Sequence, residues 1–292
     1  MSLLDKRLVF VTGKGGVGKT AVAAALGMVA ARRGHRTIVA EVAARDDVHR
    51  ALAGSGGGWR ESAIGDGLYA LSVDTERAME EYLSDQLPGA LADLLAASKL
   101  FTYFAAATPG MRELLTVGKL WELAQDERRT PGAEPYDLVV VDAPATGHGL
   151  ALLEAPRTFS EVAAAGPVAR QARIIDGTLK DRATTGIVAV ATPAEMPVNE
   201  ALHMRDALGA RLDLVVANAL RPDRFSPADA KRLAALDHDA ARIALAAHHR
   251  AQDQAGQLER LAPDVTLPFA AGDDGAADLE ALADALEAQL SR

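Results

Sequence analysis

The chain of 292 residues contains no cysteine. This absence excludes disulfide bonds, zinc–thiolate sites and thiolate capture of soft metalloids. No uninterrupted apolar run approaches the ~18 residues that a membrane-spanning helix needs, so we expect no transmembrane segment. The first apolar run, after Asp5, Lys6 and Arg7, is too short for a signal peptide. Together these features predict a cytoplasmic protein.

Basic residues are not in excess either. The chain has 31 Lys and Arg against 40 Asp and Glu, a formal net charge of −9 and an isoelectric point near 5.3. This balance argues against nucleic acid and anionic membranes as partners. The apolar content of 49% is ample for a core. With no evident linker, we expect one α/β domain over residues 1–292.

The most informative stretch is residues 13–20, which read Gly-Lys-Gly-Gly-Val-Gly-Lys-Thr directly after an apolar strand and before an apolar helix. This pattern is the phosphate-binding loop: glycines let backbone N–H groups surround phosphate, Lys19 reaches the β- and γ-phosphates, and the Thr20 hydroxyl meets Mg²⁺. The residues expected to contact the nucleotide here are Gly15, Gly16, Val17, Gly18, Lys19, Thr20 and Ala21.

The same stretch also fits the dinucleotide-binding pattern through Gly13, Gly15 and Gly18. Glu41, at the end of the second predicted strand, lies near the place of a ribose-binding acid. A dinucleotide fold does not need the Lys19-Thr20 pair, however. The sequence therefore favours a nucleoside triphosphate, with the dinucleotide reading kept as an alternative.

Lys14 is a second lysine inside the loop. A cation there is poorly placed for its own phosphates, but it can reach a nucleotide on a facing subunit, as an arginine finger does in trans. That arrangement requires a face-to-face dimer. The alternative is an ordinary solvated surface lysine.

Short β-branched runs alternate with Ala/Leu-rich helical stretches, which predicts a doubly wound, mostly parallel sheet of the phosphate-loop type. The predicted strands lie near 7–12, 36–41, 68–73, 137–142, 186–192, 212–217 and 264–268. Residues 76–130 contain no convincing strand and predict an inserted helical lobe. We expect His248 and His249 at the surface rather than on a metal.

Asp142 ends a strand and is followed by Ala-Pro-Ala-Thr-Gly-His. An acid at the tip of a strand beside the phosphate loop can hold Mg²⁺ directly or through water. The Gly/Pro-rich segment after it can sense the γ-phosphate and move on hydrolysis.

Residues 14–20 together with Asp-x-x-x-Thr-Gly-His at 142–148 resemble the arsenite-pump and tail-anchored-protein-targeting ATPases, which belong to the deviant phosphate-loop class of MinD. The Thr-Gly-His motif separates the chain from MinD itself, and its length resembles short, single-domain actinobacterial members. Further similar segments are 109–114, 192–200, 216–218 and 268–269.

The resemblance implies a Mg-ATP-dependent dimer, either a homodimer or a heterodimer with a paralogous ATPase. We expect it to signal its nucleotide state to a partner, for which a protein client is one candidate. It implies that Lys14 crosses the interface, and that Lys19 and Asp142 join it in catalysis. It places Thr20 and Asp142 at the metal. The adenine side would be formed by Asn218, Pro268 and Phe269.

Two departures from the family pattern matter. The targeting ATPases carry a Cys-x-x-Cys zinc clamp, and much of their client groove comes from an insertion that is short or missing here. The family also places a water-orienting Asp at the position of Ala43. Asp46 or Asp47 would have to replace it, or a partner would have to supply the acid; otherwise intrinsic hydrolysis is slow or absent. The alternative is therefore a hydrolysis-deficient ATP-binding scaffold that pairs with an active paralogue. Arsenite pumping is disfavoured, because the chain has no cysteines to bind the metalloid.

Overall fold

The computed structural model describes residues 2–42, 45–54, 56–86, 110–130, 132–162, 166–270 and 275–290. In these residues eight strands form a single sheet. They are β1 (Leu8–Gly13), β2 (Thr37–Glu41), β3 (Ser62–Gly65), β4 (Leu68–Ser72), β5 (Leu138–Ala145), β6 (Thr185–Ala191), β7 (Leu214–Leu220) and β8 (Val265–Pro268). All seven predicted strands are confirmed, with bounds that differ by up to three residues.

The strand order is β3-β4-β2-β5-β1-β6-β7-β8, and only the β3–β4 pair is antiparallel. The predicted α/β class with a mostly parallel sheet is therefore confirmed. In this order β5 separates β1 from β2, whereas the dinucleotide fold has the order 3-2-1-4-5-6 with β1 and β2 adjacent. The topology excludes the dinucleotide reading of the glycine-rich loop.

Helices cover both faces of the sheet in the described part of the chain. The α-helices are α1 (Lys19–Arg32), α2 (Asp47–Ala53), α3 (Thr75–Gln86), α4 (Met111–Leu123), α5 (Thr146–Val162), α6 (Pro167–Lys180), α7 (Glu195–Leu208), α8 (Pro227–Ala234), α9 (Asp239–Leu261) and α10 (Gly275–Leu290). Short 3-10 turns occur at Leu3–Asp5 and Gly209–Arg211.

The core consists of two layers because side chains alternate along each buried strand. In β1, Leu8 and Phe10 face one layer, which includes side chains from α4, α5, α6 and α7. Val9 and Val11 face the other, which is formed mainly by α1 and α10. Continuous apolar strands are the expected consequence of covering both faces.

Strand β3 was not predicted. It is four residues long, at the edge of the sheet, and only half-buried. A turn signal was present, since Gly65-Asp66-Gly67 connects it to β4 and Gly67 has a φ of 75°. Two apolar residues, Ala63 and Ile64, were too few to give a strand pattern.

The predicted lobe over 76–130 contains α3 and α4, and both are helical as expected. Helix α4 is not detached, because Val117, Leu120 and Leu123 are fully buried in the main core. Residues 87–109 lie outside the described residues, so the extent of the lobe stays a prediction.

Candidate nucleotide site

The glycine-rich loop connects the carboxyl end of β1 to the start of α1, where backbone N–H groups and the helix dipole favour an anion. Gly13, Gly16 and Gly18 have φ values of 151°, 83° and 86°, which residues with side chains rarely adopt. A Cβ on Gly13 would lie 2.1 Å from the Val190 carbonyl oxygen of β6. The loop therefore keeps this shape only with glycine at these positions.

The residues of the loop that are predicted to contact the nucleotide lie together at the carboxyl end of β1. Gly15 and Gly16 are exposed, Val17 is buried beneath them, and Gly18, Lys19, Thr20 and Ala21 are half-buried. The Lys19 ammonium donates to the Lys14 carbonyl oxygen at 3.2 Å, so its side chain folds back over the loop. Burial lowers the pKa of Lys19, while Asp142 and Glu200 act in the opposite direction.

Asp142 and Thr20, the two residues that the sequence assigns to a metal, contact each other directly. The Thr20 hydroxyl donates to Asp142 Oδ2 at 2.6 Å. The other carboxylate oxygen, Asp142 Oδ1, is buried and has no hydrogen-bond partner among the described residues. Burial raises the pKa of Asp142 to about 6; the Thr20 hydrogen bond and Lys19 lower it, and Asp47 raises it.

An unpartnered buried carboxylate oxygen is unfavourable without a donor or a cation. Hard oxygen ligands from one carboxylate and one hydroxyl are what Mg²⁺ takes when phosphates supply the rest of its shell. The residues present therefore fit a magnesium ion bound together with a nucleotide.

Glu41 lies next to this pair, since its Cα is the β2 partner of Asp142 in β5. Its carboxylate accepts from the Val48 N–H at 3.1 Å and from the Ser72 hydroxyl at 3.3 Å. Burial raises the pKa of Glu41, and Asp142 and Asp47 add to the rise. Glu41 thus ties the start of α2 to the tip of β2, a role that the sequence did not suggest.

Asn218 lies on the other side of the loop, near the end of β7. Its amide nitrogen donates to the Val17 carbonyl oxygen at 2.9 Å. The contact is so close that a Cβ on Gly18 would lie 2.3 Å from this nitrogen. Pro268 ends β8 and Phe269 follows it, so both lie at the carboxyl ends of the parallel strands, as the loop does, and both are exposed.

Lys14 forms an ion pair with Glu200 of α7 in its own chain. Both side chains are about one-third exposed. The sequence alone did not indicate this partner, because 186 residues separate the two positions.

Ala43 lies outside the described residues. Of the two acids proposed to replace its missing carboxylate, Asp46 accepts from the Gly58 N–H at 3.0 Å. Asp47 pairs with Arg50, and its charge also acts on Asp142 and Glu41. Of these two acids, Asp47 is therefore the one whose charge acts on Asp142, the predicted metal ligand.

The prediction for His248 was wrong. The side chain is buried, and its Nδ1 lies 3.1 Å from Asp223 Oδ1, whereas His249 is exposed. Helical spacing turns one of the two neighbouring histidines inward. No cluster of three or more metal-ligating side chains was found in the part of the chain that the structure describes.

This loop, its strand-tip acid and the strand order define a phosphate-loop nucleotide-binding protein. Residues 6–165 match the family model described as anion-transporting ATPase. ATPase BagA of Mycobacterium tuberculosis is 31% identical over 249 residues, which cover 80% of this chain and 71% of that protein. ATPase ASNA1 homolog 2 of Paramecium tetraurelia is 30% identical over 154 residues, 52% of this chain and 45% of its own length.

The chain therefore belongs to the anion-transporting ATPase family. The expected family resemblance is confirmed. Among the described residues, none of the helices is long and apolar enough to cross a membrane.

The pKa of Asp142 gives a prediction on pH. The folded protein holds this proton up to about pH 6, whereas an unfolded aspartate loses it near 3.8. The folded state thus binds more protons in this window, and its stability falls as the pH rises from about 4 to about 6. Asp142→Asn should remove the part of this loss that Asp142 causes, while Glu41, whose pKa is also raised, keeps its own part. The variant should therefore have a higher Tm than the parent at about pH 7.5 without nucleotide, with little change at about pH 4.

The measurement is thermal unfolding of both proteins across this pH range without nucleotide. A variant whose Tm at neutral pH is equal to or below that of the parent would contradict the uncompensated burial of Asp142.

Proposed function

We propose that this protein binds Mg-ATP, forms a dimer when it does so, and signals its nucleotide state to a partner. The observation that carries the proposal is the pair of Thr20 and Asp142 beside the loop, with one buried carboxylate oxygen of Asp142 left without a partner. Since its ligands would be ATP and Mg²⁺, we also propose that the protein works in the cytoplasm.

Each residue of the loop has a role in this proposal. The N–H groups of residues 15–21 surround the phosphates, and Lys19 turns from the Lys14 carbonyl to the β- and γ-phosphates. Thr20 and Asp142 hold the magnesium ion, which would neutralise charge on the phosphates. Asn218 fixes Val17 in the loop and takes part in selecting adenine.

The signal to a partner would start at the segment after Asp142. There α5 begins at Thr146, and its Gly149 lies so close to β1 that a Cβ would come within 2.5 Å of the Thr12 hydroxyl. That hydroxyl is buried and has no hydrogen-bond partner among the described residues. A shift of α5 would therefore change a tight contact directly beneath the phosphate loop.

The dimer in this proposal uses Lys14, which would leave Glu200 and reach a nucleotide held by the facing subunit. With no cysteine for a zinc clamp, nucleotide and surface contacts alone would hold the two subunits. The second subunit is either another copy or a paralogous ATPase, and the partner that receives the signal is a protein client.

The second candidate is an ATP-binding scaffold without effective hydrolysis. Ala43 favours it, because alanine cannot orient or deprotonate water. The two neighbouring acids are already engaged, Asp46 with the Gly58 backbone and Asp47 with Arg50. Between them, Asp47 is the better substitute, since its charge acts on Asp142.

Lys19→Ala should abolish stabilisation by ATP, because the phosphates lose the cation that the loop provides. Saturation at a hundredfold excess over Kd corresponds to about 2.7 kcal/mol in the parent protein. Thermal unfolding with and without Mg-ATP measures this effect. Lys231→Ala, which removes an exposed lysine from α8, is the control and should keep the shift. An undiminished ATP shift in Lys19→Ala would refute the assignment of the phosphate loop.

Lys14→Ala should still bind ATP but should lose ATP-driven association, since the cation that reaches the facing nucleotide is gone. Glu200→Gln should have the opposite effect and lower the ATP concentration needed for association, because it weakens the hold on Lys14 within one chain. Analytical ultracentrifugation with and without Mg-ATP measures both. Equal association of the parent and Lys14→Ala would remove Lys14 from the interface.

Ala43→Asp should raise single-turnover ATP hydrolysis about ten- to a thousandfold, because a positioned base returns beside the attacking water. Asp47→Ala should lower whatever activity the parent has if Asp47 acts in its place. The account of impaired hydrolysis fails if the parent already turns over at an ordinary rate and Ala43→Asp changes nothing.

A further inference from the structure

A buried histidine lies in α2, the helix that follows the second strand. The side chain of His49 is only 2% exposed. Neither of its ring nitrogens has a hydrogen-bond partner among the described residues. A neutral imidazole carries one N–H donor and one acceptor, so two polar groups are buried here without compensation. The closed position of this side chain is therefore held against an unfavourable free energy.

The ring is covered by a run of three glycines, residues 56–58, which we call the glycine run. A Cβ on Gly57 would lie 2.0 Å from His49 Nε2, so only glycine fits over the ring. A Cβ on Gly56 would lie 3.1 Å from Asp46 Oδ2. Since glycine changes its backbone conformation at little steric cost, such a cover can also leave the ring.

Two hydrogen bonds of Gly58 connect the glycine run to its surroundings. The Gly58 N–H donates to Asp46 Oδ1 at 3.0 Å, and this oxygen lies 4.0 Å from His49 Nδ1. The Gly58 carbonyl oxygen accepts from the Ser72 N–H at 3.0 Å, at the end of β4. Asp46, His49 and the glycine run thus form one connected contact between α2 and the tip of β4.

A proton on His49 is unfavourable in this closed arrangement. An imidazolium has two N–H donors. Its Nε2 lies against Gly57, and the Asp46 oxygen near Nδ1 already accepts from Gly58. Burial accordingly lowers the pKa of His49 from its ordinary value of 6.5, while the Asp46 charge acts in the opposite direction.

The other titratable groups around α2 have partners of their own. The elements packed against this helix are α1, β2, β4 and α10. The groups in question are Asp47 and Arg50 on α2, Glu41 on β2, Tyr69 on β4, Lys19 and Arg32 on α1, and Asp278, Glu280, Asp284 and Glu287 on α10. Asp46 is the charged group that acts on the ring.

We propose that His49 and the glycine run form a proton-operated latch on α2. Neutral His49 permits the closed state, in which the Gly58 N–H holds the Asp46 carboxylate. A proton on His49 favours an open state, in which the glycine run leaves the ring and the imidazolium meets water. Opening frees Asp46, one of the two acids considered as a substitute at Ala43. The latch belongs to the nucleotide-free protein, so the inference goes beyond the proposed function and does not require it.

The test is hydrogen–deuterium exchange of the backbone amides of residues 56–58 in the full-length protein without nucleotide. The parent is compared with His49→Gln, which keeps a polar side chain but cannot take the proton, at the same pH. From about pH 7.5 to about pH 5, the exchange rate of the parent relative to His49→Gln should rise by up to about thirtyfold. This limit follows because pH 5 is about 1.5 pH units below 6.5, and the proton stabilises only the open state.

His203→Gln is the matched control, since it removes an exposed histidine from α7 and should keep the pH dependence of the parent. Gly57→Ala is an independent variant: its methyl group does not fit over the ring, so the amides should exchange faster than in the parent already at about pH 7.5. Thermal unfolding confirms that each variant is folded. The same pH dependence in the parent and His49→Gln would overturn the inference. Unchanged exchange in Gly57→Ala would overturn it as well, because the glycine run would then not be the cover.

Discussion

The hydrogen bond between Thr20 and the buried Asp142 is the contact on which the site depends. It joins the first turn of α1 to the tip of β5, and so fixes the helix that ends the phosphate loop to the strand that carries the acid. It satisfies only one carboxylate oxygen, and burial raises the pKa of the group to about 6. This unpartnered carboxylate oxygen is the observation that supports a metal site in the proposed function.

Side chains of two different kinds lie on the two sides of β1. On one side, β5 and β2 bring Asp142 and Glu41 together, and α2 adds Asp47 to the same region. On the other side, β7 carries Asn218, whose amide contacts the loop at Val17, and Phe269 directly follows β8. Parallel strands place all of these at one edge of the sheet, so a ligand can reach both sides from the loop between them.

The sequence predicted the fold and the loop well because both depend on local signals: continuous apolar strands, glycine spacing and the acid after β5. The sequence did not predict β3, because its apolar run is only two residues long. It also predicted His248 at the surface, whereas the side chain is buried and contacts Asp223. The pair of Lys14 and Glu200 joins residues far apart in the chain. Such side-chain contacts follow from how the elements pack, and no local pattern encodes them.

The most direct test of the account is a crystal structure with Mg²⁺ and a non-hydrolysable ATP analogue. The account predicts phosphates surrounded by residues 13–20, a metal about 2.0–2.1 Å from the Thr20 hydroxyl, and Asp142 bound to that metal directly or through one water. It predicts the adenine ring beside Asn218. A nucleotide bound elsewhere, or a metal that contacts neither Thr20 nor Asp142, would contradict it.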